Sequence, residues 1–179
     1  NRMTQSVYII DGHAHMYRAF YAPFRELTSP TGEPTKAVHV FVQMLVGLIT
    51  RRKPDYLAMV MDVSDSTVFR CGVYPEYKAN RDATPETLEV QMRRIVDIVT
   101  AMNIPIFRLE GYEADDLMAT MATKLAGDDV EVFLVSGDKD LEQLLSDRVK
   151  LYDPGKDAVL DPAGLLEKKG ITPAQVVEL

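Results

Sequence analysis

Three short apolar runs in this chain each lead directly into acid. Val7-Tyr8-Ile9-Ile10 is closed by Asp11, Leu57-Ala58-Met59-Val60-Met61 by Asp62, and Val132-Phe133-Leu134-Val135 is followed by Asp138 and Asp140. A fourth cluster, Glu113, Asp115 and Asp116, opens a segment with helical spacing. Continuous apolar runs of this length read as strands buried on both faces, the environment of a parallel sheet. In open sheets that alternate strands with helices, ligands bind beyond the carboxyl ends of the strands, so acids from distant parts of the chain converge there. Seven carboxylates brought together cannot all stay ionised without a counter-charge, and hard oxygen donors favour Mg²⁺ or Mn²⁺ over softer ions.

The rest of the chain fits that architecture. Strands are predicted over 7–11, 56–62, 104–109, 130–136 and 149–152, and helices over 35–52, 85–102 and 113–126, with a short helix at 140–145 and the start of another at 174. Alternation of strand and helix implies a mostly parallel sheet with helices on both faces, because parallel neighbours need crossover connections. Two stretches fall outside the pattern. Pro23 to Pro34 carries three prolines, and Val63 to Thr84 is polar and basic with little apolar periodicity. Loops longer than ~12–15 residues inside a domain are commonly binding segments.

With 179 residues, 46% hydrophobic and 26% charged, the chain can bury one sizeable core. Its net charge of −7 argues against a generally basic nucleic-acid binder but permits a basic strip beside an acidic pocket. Cys71 is the single cysteine, which excludes a disulfide framework and a cysteine-rich zinc site and points to a reducing compartment, the cytoplasm. No apolar stretch reaches the ~20 residues that span a bilayer, so no membrane partner is expected. His13, His15 and His39 lack the cysteine or helical partners of a zinc site and read as packing or surface residues.

Each acid alone has a plain structural explanation, since aspartate starts turns and acids in a first helical turn cap free N–H groups. Their coincidence on one predicted edge favours a metal site. Oxygen-only ligation suits Mg²⁺ shared with a substrate phosphate. Between Phe69 and Arg81, the cations Arg70, Lys78 and Arg81 alternate with Phe69, Tyr74 and Tyr77. Such a mixture can grip phosphates and stack a splayed base, and Arg18 is a second candidate phosphate contact.

The strings Ile10-Asp11-Gly12-His13, Phe69-Arg70, Glu76-Tyr77-Lys78-Ala79-Asn80-Arg81, Gly111-Tyr112-Glu113-Ala114-Asp115-Asp116 and Asp138-Lys139-Asp140-Leu141, in this order, resemble the 5′-nuclease (flap endonuclease) family. The likeness is to the amino-terminal 5′→3′ exonuclease domains of bacterial DNA polymerase I. It implies a PIN-like or resolvase-like α/β fold, with 63–84 as a helical arch. It also implies Asp11, Asp62, Glu113, Asp115, Asp116, Asp138 and Asp140 as metal ligands for Mg²⁺ or Mn²⁺, two ions in an intact enzyme. Asp11, Asp115, Arg70 and Lys78 take catalytic roles on this reading, and Arg18, Arg70, Tyr77, Lys78 and Arg81 contact DNA. The implied activity is hydrolysis of DNA near 5′ flaps or 5′ ends, in replication and repair within a bacterial cytoplasm at the nucleoid. Residues 1–169 would be the catalytic domain and 170–179 the start of a helix-hairpin-helix region, with a polymerase domain possible beyond it. Cys71-Gly72 departs from the family string. Competing readings are a PIN-type ribonuclease, which needs the acids without the arch, and a non-catalytic DNA-binding module whose acids are caps. An aspartyl phosphatase is disfavoured because Asp11 lacks a second aspartate two residues on.

Overall fold

The computed structural model describes residues 4–63 and 85–178. In chain order its elements are β1 (Gln5–Asp11), α1 (Gly12–Phe20), α2 (Lys36–Arg52), β2 (Tyr56–Val60), α3 (Glu86–Ala101), β3 (Ile106–Phe107) and α4 (Ala114–Leu125). They continue with β4 (Val130–Val135), a 3-10 helix (Lys139–Leu144), β5 (Val149–Asp153), β6 (Ala158–Leu160), α5 (Pro162–Lys169) and a second 3-10 helix (Pro173–Glu178). The sheet order is β3-β2-β1-β4-β5-β6. All neighbours are parallel except β5 and β6.

Period-two alternation along the strands divides the apolar side chains between two cores. Tyr8, Ile10, Met59, Met61, Phe133 and Val135 face a core shared with α1, α2 and α3. Val7, Ile9, Val60, Val132 and Leu134 face the other, shared with α4, α5 and the first 3-10 helix. Both faces of the sheet are thereby covered, which accounts for the continuous apolar runs in the sequence. Across the β1–β4 register, Tyr8 stacks on Phe133 with ring centroids 4.5 Å apart, and the Arg52 guanidinium lies over Phe133 while its Nε donates to the Tyr8 hydroxyl at 2.8 Å. On α3, buried Gln91 accepts the backbone N–H of Ala37 at 2.6 Å. It thus satisfies the start of α2, where Thr35 makes no side-chain cap.

Several expectations shift. The third strand pairs only at Ile106–Phe107, not over 104–109, because it is an edge strand matched against the short end of β2 and Pro105 has no N–H to give. The second strand ends at Val60, leaving Asp62 two residues beyond it. The helix expected at 140–145 is a 3-10 helix starting at Lys139, and the one expected from 174 is also 3-10. Strict alternation fails twice. Two helices separate β1 from β2, and β6 returns antiparallel to β5 through a turn where Asp157 adopts φ 47. The Pro23–Pro34 stretch closes on itself through a Thr28–Pro34 bridge, with Gly32 at φ 88.

One close approach fixes how α1 leaves the sheet. Asp11 is the N-cap of α1, its Oδ1 accepting from Ala14 N at 3.2 Å, and the next residue lies against the end of β2. A Cβ on Gly12 would stand 2.8 Å from Met61 Cγ and 3.0 Å from the Val60 carbonyl oxygen. Gly12→Ala should therefore force β1 and β2 apart at their carboxyl ends, lowering stability by ~1–3 kcal/mol in urea unfolding. An unchanged midpoint would show that the end of β2 yields without strain.

Candidate functional site

Parallel register sets the site. Asp11 ends β1 opposite Val60 of β2, and Ile10 lies opposite Val135 of β4. The residues that follow, Asp62 after β2 and Ser136 after β4, therefore emerge on either side of Asp11 at one edge. Asp11 Oδ2 accepts from the Ser136 hydroxyl at 3.3 Å, and Asp138 N donates to the same hydroxyl oxygen at 3.2 Å. Asp138 Oδ1 in turn accepts from Asp140 N at 2.9 Å.

The other side is tied to α4. Asp62 Oδ1 accepts from Ala114 N at 2.6 Å, bringing the acid after β2 onto the first turn of that helix. Asp62 N donates to His13 Nδ1 at 3.1 Å. Within the turn, Glu113 N donates to Asp116 Oδ2 at 3.3 Å and Asp116 N to Asp115 Oδ1 at 2.8 Å. The capping explanation is thus correct in part. Capping does not account for the quantity of charge, however. Glu113 is buried, and one ligand oxygen from each of Glu113, Asp115 and Asp116 lies within 4.8 Å of the others, which makes them the one such group among the described residues.

The electrostatics follow from this crowding. Burial, with further contributions from Asp62 and Asp138, pushes the Asp11 carboxyl up to about 6, against the hydrogen bonds from Ala14 and Ser136 that favour its ionised form. Asp62, after β2, and Asp138, after β4, thus both act to raise the pKa of Asp11 at the end of β1. The donor chemistry, carboxylate oxygen throughout, fits a hard divalent cation and is unsuited to soft metals.

The structure therefore brings Asp11, Asp62 and Asp138 into one neighbourhood, and Glu113, Asp115 and Asp116 into contact with it through Asp62. Asp140 joins through its backbone N–H, and its side chain is exposed. Arg18 pairs with Asp153 at 3.7 Å, at the end of β5, two strands along from β1. Arg70, Tyr77, Lys78 and Arg81 lie outside the described residues. Two polar groups escape sequence reasoning. His13, expected to have a packing or surface role, holds the backbone of Asp62, and Ser136 bridges Asp11 and Asp138. The signal for Ser136 is a hydroxyl placed directly between an apolar strand and Gly137-Asp138. His15 conforms to expectation: it is buried, hydrogen-bonded to the Val135 carbonyl at 3.0 Å, and burial lowers its pKa to about 4.

Comparison with known proteins places these features in context. The profile of a family described as "5′-3′ exonuclease, N-terminal resolvase-like domain" matches residues 6–170. A DNA polymerase I from Chloroflexus aurantiacus is 43% identical over 180 residues, covering 96% of this chain and 19% of the polymerase. A 5′-3′ exonuclease from Aquifex aeolicus is 37% identical over 172 residues, covering 96% of this chain and 59% of that protein. The chain thus spans a minor part of the first relative and somewhat over half of the second. The flap endonuclease of bacteriophage T5, solved in a pseudo-enzyme–product complex with DNA and metal ions, shares the fold with a TM-score of 0.72 at 24% identity. That likeness covers 98% of this chain and 65% of the phage protein.

The raised pKa of Asp11 gives a signed expectation. In the unfolded chain this carboxyl titrates near its ordinary value of 3.8, so between about pH 4 and 6 the folded protein holds a proton that the unfolded chain has lost. Its contribution therefore makes stability fall as pH rises through that window. Buried His15 acts oppositely, since its lowered pKa removes stability as pH falls from its ordinary 6.5 through about 4. The difference between wild type and Asp11→Asn isolates the first effect. With chelator present, the Tm of the variant relative to wild type should climb between pH 4 and 6 and then level off. A flat difference would mean that Asp11 carries no such penalty.

Proposed function

The chain belongs to the 5′-3′ exonuclease family through its N-terminal resolvase-like domain, and on that footing we propose that it is a divalent-metal-dependent 5′→3′ exonuclease and flap endonuclease. It hydrolyses DNA phosphodiesters near junctions of single and double strand, in replication and repair. The observation that carries this reading is the meeting of Asp11, Asp62 and Asp138 at the carboxyl edge of β2, β1 and β4, beside the Glu113, Asp115 and Asp116 group.

Asp11, Asp62, Glu113, Asp115, Asp116, Asp138 and Asp140 would hold Mg²⁺ or Mn²⁺, two ions in the intact enzyme. When bound, such ions offset phosphate charge and make water nucleophilic near neutral pH. The protein's own part is to keep the carboxylates oriented: Ala14 N and Ser136 fix Asp11, and Ala114 N fixes Asp62. Arg70, Lys78 and Arg81 contribute phosphate contacts, with Lys78 acting at the reacting phosphate, Arg18 a further contact, and Tyr77 a stacking surface for a base. Residues 1–169 form the catalytic unit and 170–179 lead into a helix-hairpin-helix region that grips duplex. The polymerase relatives support a polymerase domain in the same chain, and the exonuclease relative supports a stand-alone exonuclease. Among the described residues no helix is long and apolar enough to cross a membrane. A cytoplasmic, nucleoid-associated setting accords with the DNA substrate.

The deciding assay is cleavage of a labelled 5′-flap DNA against single-stranded RNA, with Mg²⁺, Mn²⁺ or chelator. Metal-dependent cutting of the flap alone is expected, and Asp115→Asn should reduce it at least ~100-fold by removing transition-state charge stabilisation. Preference for RNA would favour the ribonuclease reading, and no divalent binding at all would favour a non-catalytic module. Lys78→Ala should slow single-turnover cleavage more than it weakens DNA binding, because charge at the reacting phosphate acts mainly in the transition state. Weaker binding at an unchanged rate would reduce Lys78 to a positioning contact.

A further inference from the structure

Ser136 is buried, with 7% of its surface exposed, in the first position after β4. A serine hydroxyl offers one proton and two lone pairs. Here the proton goes to Asp11 Oδ2 across 125 residues of sequence, and a lone pair accepts from Asp138 N. The same hydroxyl therefore touches an acid of β1 and the backbone of an acid after β4. Asp11 is gripped from two sides, since its other oxygen accepts from Ala14 N at the start of α1. Each oxygen spends one of its lone pairs on a protein donor, and two donors from different elements fix the carboxylate plane.

We propose that Ser136 is a positioning residue for the metal centre, one whose hydroxyl sets the orientation of Asp11 and its spacing from Asp138. This rests on the metal-dependent reading above. A hydroxyl serving the fold alone could have satisfied its own loop, as Ser146 does by accepting from Arg148 N and Val149 N. Ser136 instead spans two strands and ends on a carboxylate whose neighbours are themselves acids. Partners behind the ligands of a metal site fix the orientation of those ligands, and losing one typically costs about 10–100-fold in metal affinity.

The test is Mn²⁺ binding followed by electron paramagnetic resonance, with thermal melting in chelator as a control for folding. Ser136→Ala should bind Mn²⁺ ~10-fold more weakly and alter the line shape of the bound ion, while melting close to wild type. Ser136→Thr, which keeps the hydroxyl, should stay within about twofold of wild type. Wild-type affinity in Ser136→Ala would overturn the proposal, as would an equal loss in a Ser136→Thr protein that melts normally. Absence of Mn²⁺ binding by the wild-type protein would overturn the metal reading itself, and with it this inference.

Discussion

Everything at the site depends on the parallel pairing of β1 with a strand on either side. Because β2 and β4 run the same way as β1, all three end at one edge, and the residues after them leave the sheet together. Had either neighbour been antiparallel, its acid would sit at the opposite edge, a strand length away. The pairing is held by burial on both faces, where alternating side chains fill two separate cores. Neither core can be loosened without shifting β1, and β1 carries the central acid.

Charge concentrated at that edge opposes folding in the absence of a cation. Desolvation and like-charge neighbours disfavour the ionised form of Asp11, yet the structure fits donors to the ionised acids: Ala14 N and the Ser136 hydroxyl to Asp11, and Ala114 N to Asp62. Two of those donors are backbone N–H groups at helix starts, left unpaired by helix geometry, and the third is the side-chain hydroxyl of the residue after β4. Capping and the orientation of the carboxylates are therefore one arrangement here. The N-terminus of α4 is stabilised by acids whose remaining lone pairs suit a hard cation.

Strands β1, β2 and β4 and the acids that follow them were legible in the sequence because each is a short apolar run with a sharp polar end. The long helices were legible for a similar reason, since Phe41, Leu45 and Leu48 recur at helical spacing and are all buried. Short elements were not. At nine residues α1 offers too few turns to establish a period, and β6 holds its place only by pairing with β5. The 3-10 helices follow from local tightening that no periodicity announces.

For the site, sequence determined the chemistry: oxygen donors, in clusters, after strands. It could also determine that those clusters belonged at one edge, because alternation of strand and helix forces parallel neighbours. What it could not determine was which polar neighbours hold the acids in place. Ser136 and His13 look like any serine and histidine until register sets one against Asp11 and the other against Asp62. Arg18, offered by the sequence as a phosphate contact, has Asp153 at the end of β5 as an ion-pair partner, which the sequence does not announce. A side chain's type is written in the chain, but its partner is chosen by distance. Distances between residues more than a hundred positions apart exist only once the sheet has formed.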